Sequence, residues 1–380
     1  MLLYYKSKVY GSLASNDQFK SLAPDGREVA FDAFKKAVDS DKDNKLTLLM
    51  VQDQYKPIFD LYSGYYDAAV ANFNTAASSS NKADFEMAMN NFIKADEVGS
   101  YIYSKKWALS EVDTALVLNI GKAALNAGNK EQAMKYFKRL ADANIAGTKD
   151  GNVGYNLPYQ WLALHYKDAG DSANLLKYAN QGKQLFPDDD YFDLVLLDYF
   201  RSNKDYESLF KKYGEIVAKA PDSLTYRFNY ANEIFNYVYN SDAGTKVNNK
   251  EEHLKTVGTQ LEAAAKLSPD DTNTNWLYGQ YFFNAGIDLK EKAIAIKGTK
   301  PEDVKAKSDL NAQAKEMFTK ALPYAEKAFT SLESGFKKSE KSRYKSVADL
   351  MQRIDTSLGQ TDKVKAYQTK YDAADEKFIN

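Results

Sequence analysis

Three prolines set the phase of this chain. Pro187 and Pro221 stand 34 residues apart, and each follows an amphipathic stretch and precedes an acid, as Pro269 also does (Pro187-Asp188, Pro221-Asp222, Pro269-Asp270). Proline ends a helix because it lacks the N–H the next turn needs, and an acid just beyond it opens the following one. Ten residues after each proline comes a small or apolar residue, Leu197, Ala231 and Gly279, where two helices can approach closely. A fixed period of this length describes a stack of helix hairpins, none able to bury its apolar face alone.

A second pattern supports the first. Residues three and four apart share one face of a helix, and a small-x3-aromatic-x2-small spacing recurs at Ala30/Phe34/Ala37, Ala88/Phe92/Ala95, Ala133/Phe137/Leu140 and Ala314/Phe318/Ala321. Weaker copies are Leu175/Ala179/Gly182, Leu209/Tyr213/Ile216 and Val257/Leu261/Ala264. Matching first-helix positions are Tyr10-Gly11, Ile120-Gly121, Leu162-Ala163 with Tyr166, and Tyr278-Gly279 with Phe282, with Gly128 and Gly170 at the turns between helices. On these residues the chain resembles the tetratricopeptide repeat family, and the resemblance covers nearly its whole length. It implies an all-α, right-handed superhelical solenoid of antiparallel helix pairs.

The chain departs from the family at Trp161 and Trp276, which sit near the family's tryptophan position without occupying it. Insertions are expected in the second, sixth and seventh units, the last two at Asn240-Ser241-Asp242-Ala243-Gly244-Thr245-Lys246 and at Lys297-Gly298-Thr299-Lys300-Pro301-Glu302. The expected organisation is an array of about seven helix-pair units over residues 1–340. A C-terminal capping pair follows over 341–380, turning at Gly359-Gln360-Thr361-Asp362 and solubilising the last exposed face. No stretch is long or polar enough to be a linker, and Ser78-Ser79-Ser80-Asn81 reads as an inter-helix loop.

Composition narrows function. Lys plus Arg number 51 against 52 Asp plus Glu, so no global field attracts nucleic acid or an anionic membrane. With no cysteine, disulfides, thiolate nucleophiles and zinc–thiolate sites are excluded together. No run approaches the length of apolar residues that spans a bilayer. The opening Met1-Leu2-Leu3-Tyr4-Tyr5-Lys6 is apolar for the end of a solenoid. It is read as continuing from an upstream segment that includes a secretory leader, which places the protein in a bacterial cell envelope or periplasm; the cytoplasm is the alternative.

Candidate chemistry has bland readings throughout. Asp39-x-Asp41-x-Asp43 opens like a calcium loop, yet Asn44 and Met50 stand where Gly and a bidentate Glu are required. A turn and helix start is the expected role. Asp188-Asp189-Asp190 suits a helix N-terminus, whose dipole and free N–H groups favour acids. Gly121-Lys122 lies mid-helix without a phosphate loop and reads as a packing glycine. His165 and His253 have no partner at ligand spacing, and no nucleophile elbow exists. Between residues 290 and 345, 14 basic residues interleave with 8 acidic ones as on a solvated helix surface. Neither a catalytic site nor a metal or cofactor site is expected.

The resemblance implies partner binding on a concave face lined by the first helix of each unit. The residues placed there are Gln160, Tyr191, Leu194, Asp198, Arg201, Phe228, Asn229, Asn232, Asn236, Trp276, Gln280 and Asn284. Three asparagines at helical spacing stand out, since Asn is a mediocre helix former. The Lys/Arg/Asn clamp of chaperone-binding members is missing: Leu118, Gln160, Leu194, Phe228 and Trp276 fill one equivalent row. Amides beside rings suit a neutral ligand. The expected function is a non-catalytic scaffold holding a protein or extended peptide, with a glycan-binding envelope protein or a structural assembly subunit as alternatives.

Overall fold

The computed structural model describes residues 1–108, 113–148, 151–240, 247–335 and 337–377. Among them the chain is all-α apart from one isolated bridge, Gly147 to Gly154. It forms two compact units, Met1–Leu196 and Leu197–Asn380, and the division falls inside a helix and not in a linker.

The first unit holds α1 (Leu2–Ser15), α2 (Gly26–Asp39), the short α3 (Lys45–Gln52), α4 (Lys56–Ser79), α5 (Lys82–Ser104), α6 (Thr114–Ala127), α7 (Lys130–Asp142), α8 (Asn156–Asp168) and α9 (Ser172–Leu185). Helix α10 (Asp190–Ser202) crosses the division. In the second unit lie α11 (Tyr206–Lys219), α12 (Leu224–Tyr239), α13 (Lys250–Leu267), α14 (Thr272–Ala295), α15 (Pro301–Gly335), α16 (Lys341–Leu358) and α17 (Thr361–Lys377). Sequential antiparallel partners pack together: α1 with α2, α4 with α5, α6 with α7, α8 with α9, α12 with α13, α14 with α15 and α16 with α17.

The stops and starts are chemical. Asn81, Asp113, Asn129, Asp171, Asp205, Ser223 and Asp271 each accept a backbone N–H of the helix they open, satisfying donors that have no intrahelical partner. After Pro221 and Pro269 the cap is therefore one residue later than Asp222 and Asp270. Asp41 accepts the Leu46 and Thr47 amides at 3.0 Å each. This is the helix-start role expected of the Asp39–Asp43 run, and the Leu46 bond, chief among several, holds its carboxyl below the usual range. Gly128, Gly170 and Gly359 turn with φ of 82, 70 and 75°, a region open to glycine without strain. The inter-helix loop expected at Ser78–Asn81 is only Ser80 and Asn81, since α4 runs through Ser79 and α5 starts at Lys82. Of the expected insertion at 240–246, residues 241–246 lie outside the described residues.

All seven copies of the second-helix pattern are buried, with Phe34, Phe92, Phe137 and Phe318 almost wholly enclosed. Each such ring contributes roughly 1.5–3 kcal/mol by leaving water. Gly121 is the packing residue its position suggests: a side chain there would collide with the Phe137 ring.

Helix α15 exceeds expectation. It runs 35 residues through an internal Pro323 and serves two neighbours in turn. Ala314, Phe318 and Ala321 pack with Phe283 of α14 and with Leu350 and Ile354 of α16, whereas Ala328, Phe329 and Leu332 pack with Tyr344, Val347 and Ala374 of the last pair. Asp375 of α17 ties that pair by bonding Lys341 and Lys345 of α16, each at 2.6 Å.

Asp355 of α16 is fully buried and neither carboxylate oxygen has a partner from the protein. Burial pushes its carboxyl above the usual range; Lys363 opposes the shift and Glu326 adds to it. A raised folded-state value gives stability that is complete below the ordinary carboxylate range and is lost as pH rises through the folded value. Asp355→Asn is accordingly expected to unfold at a higher temperature than the parent chain at pH 8, with the gap closing toward pH 4. Thermal melts followed by circular dichroism check this, and an unchanged or lower midpoint at pH 8 contradicts it.

Candidate functional site

The amide residues lie on two neighbouring first helices of the second unit. Helix α12 buries Ala231, Ile234 and Phe235 and leaves Asn229, Asn232 and Asn236 at i, i+3 and i+7 partly or fully exposed. Helix α14 buries Leu277, Tyr278, Gly279 and Phe283 and leaves Trp276, Gln280 and Asn284 at i, i+4 and i+8 half-buried. The two helices pack directly on one another as well as on α13 between them in sequence. Gly279 permits α14 to approach α15, because a Cβ there would stand 3.2 Å from the Ala325 amide nitrogen.

The predicted residues differ in how far they are already occupied. Gln160 donates to Asp189 at 2.6 Å, Asn156 donates to the same oxygen at 2.9 Å, and the Tyr191 amide caps onto Asp189 at 3.0 Å. The Tyr191 hydroxyl reaches the Gln160 carbonyl at 3.3 Å. Gln160 and Tyr191 thus form a local polar knot in the first unit, organised by the middle acid of the Asp188–Asp190 run. Leu194 projects outward on α10.

Arg201 is likewise engaged. Its Nε donates to Glu233 at 2.6 Å, one terminal nitrogen donates to the Tyr213 hydroxyl at 3.1 Å, and Asp198 stands at 4.0 Å. It serves the α10–α12 seam. Phe228 leans on the core cluster of Leu197, Tyr213 and Ala231. Asn236 accepts from the Asn240 side chain at 2.9 Å. Trp276 is wedged against the clusters shared by α14, α15 and α16 with the Arg343 guanidinium 5.9 Å from its ring, and its buried Nε1 has no acceptor from the protein.

Asn229, Asn232, Gln280 and Asn284 remain. None makes a side-chain hydrogen bond among the described residues, so these amides are available to a ligand. The seams of the same helices hold close rings: Tyr213 stacks on Tyr230 at 5.6 Å, and Tyr278 stacks on Phe282 at 4.7 Å and meets Tyr324 tilted at 4.3 Å. Burial raises the Tyr278, Tyr230 and Tyr281 hydroxyls above their ordinary range, so all three stay neutral at physiological pH.

Both histidines are aromatic seam residues. His165 stacks on Trp161 at 5.0 Å, and His253 meets Phe210 and Tyr237 edge-on, with burial lowering its affinity for a proton. Among the described residues no group of three His, Asp or Glu side chains could hold a metal ion, and no helix is long and apolar enough to cross a membrane.

Two features escaped the sequence reading. Arg353 of α16 covers Phe283 at 4.7 Å, a contact between helices that no spacing within α16 announces. A groove of about 1220 Å³ is bounded by α1, α2, α4 and α5 in the first unit. Its signal was present as small residues at helical spacing, Ser7/Gly11/Ala14 and Gly64/Ala68/Ala71, although that spacing equally describes close helix packing.

No family model and no curated protein matches the chain. Among solved structures, the monomeric mutant of IFIT1 with Gppp-AAAA is similar at 14% identity and TM-score 0.32, over 97% of this chain and 69% of that one. The human IFIT1 dimer with m7Gppp-AAAA is similar at 13% identity and TM-score 0.27, over 99% and 94%. A candidate protein-binding protein from Bacteroides ovatus is similar at 16% identity and TM-score 0.23, over 68% of this chain and all of that one.

Proposed function

We propose that the chain is a non-catalytic scaffold that holds a protein or an extended peptide on the first-helix face of α12 and α14. The observation that carries this reading is the set of four amides, Asn229, Asn232, Gln280 and Asn284, which have no side-chain partner among the described residues and lie on adjacent helices. An Asn or Gln side chain offers a donor and an acceptor together, the complement of a peptide group in an extended strand. Asn also lowers helix stability by about 0.5 kcal/mol relative to Ala, a cost that two unpaired copies on α12 incur without an internal return.

The triple variant Asn229→Ala, Asn232→Ala, Gln280→Ala is expected to lose at least about tenfold in retention on a peptide array, the worth of one or two hydrogen bonds. Its thermal stability should be equal or slightly higher, since Ala is the better helix former. Unchanged retention contradicts the proposal. Retention on a glycan array, abolished by the same substitutions while peptides are ignored, would turn it into glycan capture.

A structural assembly role is favoured by a different observation. Leu2, Tyr5 and Val9 lie on one face of α1 and are each more than half exposed, an apolar stripe of the kind that packs on another protein surface. If α1 mediates self-association, light scattering will give a mass that grows with concentration and falls to the monomer in Leu2→Glu, Val9→Glu. A monomeric parent chain at every concentration contradicts self-association.

A further inference from the structure

The groove between α1, α2 and α4 contains one cation, Arg27, that is set apart from its lysines. Its lysines all have acids within ion-pair distance: Lys8 with Asp53 at 2.9 Å, Lys20 with Asp17 at 2.8 Å, Lys56 with Asp60 at 2.7 Å and Lys94 with Glu97 at 3.2 Å. Arg27, at the start of α2, has no carboxylate at that distance among the described residues. Its guanidinium lies 5.8 Å from the Tyr65 ring, and its Nε is buried without an acceptor from the protein. Ser7 of α1 also lines the groove; it is 2% exposed, and its hydroxyl has no partner from the protein among the described residues.

The site has been given room. Gly64 of α4 faces Arg27 so closely that a Cβ would stand 2.9 Å from its Nε, so the missing side chain is what seats the guanidinium, and Gly11 of α1, one turn beyond Ser7, adds no side chain to the groove lining. Two buried donors without acceptors are each expensive to leave unsatisfied. Both call for oxygen, and a planar guanidinium fork matches a carboxylate with two parallel hydrogen bonds. The groove wall carries five Lys and Arg against six Asp and Glu, so its net field opposes every added negative charge, and one carboxylate on Arg27 is opposed less than a doubly charged phosphate.

We infer that this groove is a carboxylate-binding site, with Arg27 as the fork and Ser7 as the hydroxyl donor. Along α4 the wall extends from Lys56 to Asn72, roughly 24 Å at the helical rise, long enough for about seven extended residues. A peptide segment that presents one carboxylate to Arg27 therefore fits better than an isolated small acid. The site belongs to the first unit and the α12–α14 amides to the second, and the two differ in charge preference. Arg27 also stands on a second helix, outside the row of first-helix positions considered in the sequence.

The test is an array of random ten-residue peptides, printed as synthesised, with Glu and Asp replaced by Gln and Asn, and with free or amidated C-termini. Acidic members should be retained about tenfold better than their amide counterparts, as expected for a charge-assisted hydrogen bond. That preference should vanish in Arg27→Gln and in Gly64→Ala, which keeps the charge and displaces the fork. It should be reduced in Arg27→Lys and in Ser7→Ala. Loss on amidation alone assigns the carboxylate to a peptide C-terminus. A silent array with a succinate-induced rise in melting temperature, absent in Arg27→Gln, retains carboxylate recognition and assigns it to a small acid. Equal retention of acidic and amide members, retention by Arg27→Gln at the parent level, or a silent array without a succinate effect overturns the inference.

Discussion

Phe137 of α7 lies where Gly121 of α6 has no side chain, Phe192 of α10 lies where Gly182 of α9 has none, and Phe318 of α15 lies over Gly286 of α14. In each case a ring fills the space that a missing Cβ leaves, and the helix bearing the glycine can then come within contact of its partner. Much else follows from this interlock. Helices closed on one another this way bury one stripe of each and turn the opposite stripe outward, which is why Gln280 and Asn284 of α14 occupy a defined face. If the rings were not seated, the outward faces would have no fixed register.

The polar side chains divide into those that hold helices together and those that do not. Arg201 with Glu233, Gln160 with Asp189, Arg139 with Asp96 at 2.6 Å and Lys183 with Asp193 are seam contacts whose charges or amides are already satisfied within the protein. Asn229, Asn232, Gln280 and Asn284 form one set without such duties, and Arg27 with Ser7 forms another. Unpaired amides suit neutral backbone groups, while an unpaired guanidinium suits an anion, so the two faces would select different chemical features of a partner.

The repeat was legible because its signals are local. Proline stops, acidic or amide caps and the small-x3-aromatic spacing each act within one or two turns, and every residue named in that spacing is buried. The role of Gly121 could be read for the same reason. What could not be read depends on neighbours distant in sequence. That Arg201 is bound by Glu233, that Gln160 is held by Asp189, and that Trp276 sits between helices beneath Arg343 are facts of packing, and a list of first-helix positions treats all of them as equally open. The length of α15 was hidden by Pro323, which as a sequence signal ends a helix. Here burial of Ala321 and Ala325 on either side keeps it continuous.

The interlock has a sign that can be measured. Replacing a mid-helix glycine by alanine stabilises an ordinary exposed helix by about 1 kcal/mol; at Gly121 and Gly182 the added methyl must displace a seated ring, which costs typically about 1–3 kcal/mol in a packed core. Urea unfolding of Gly121→Ala and Gly182→Ala should therefore give lower midpoints than the parent chain. Midpoints that rise, as helix propensity alone requires, would contradict the account.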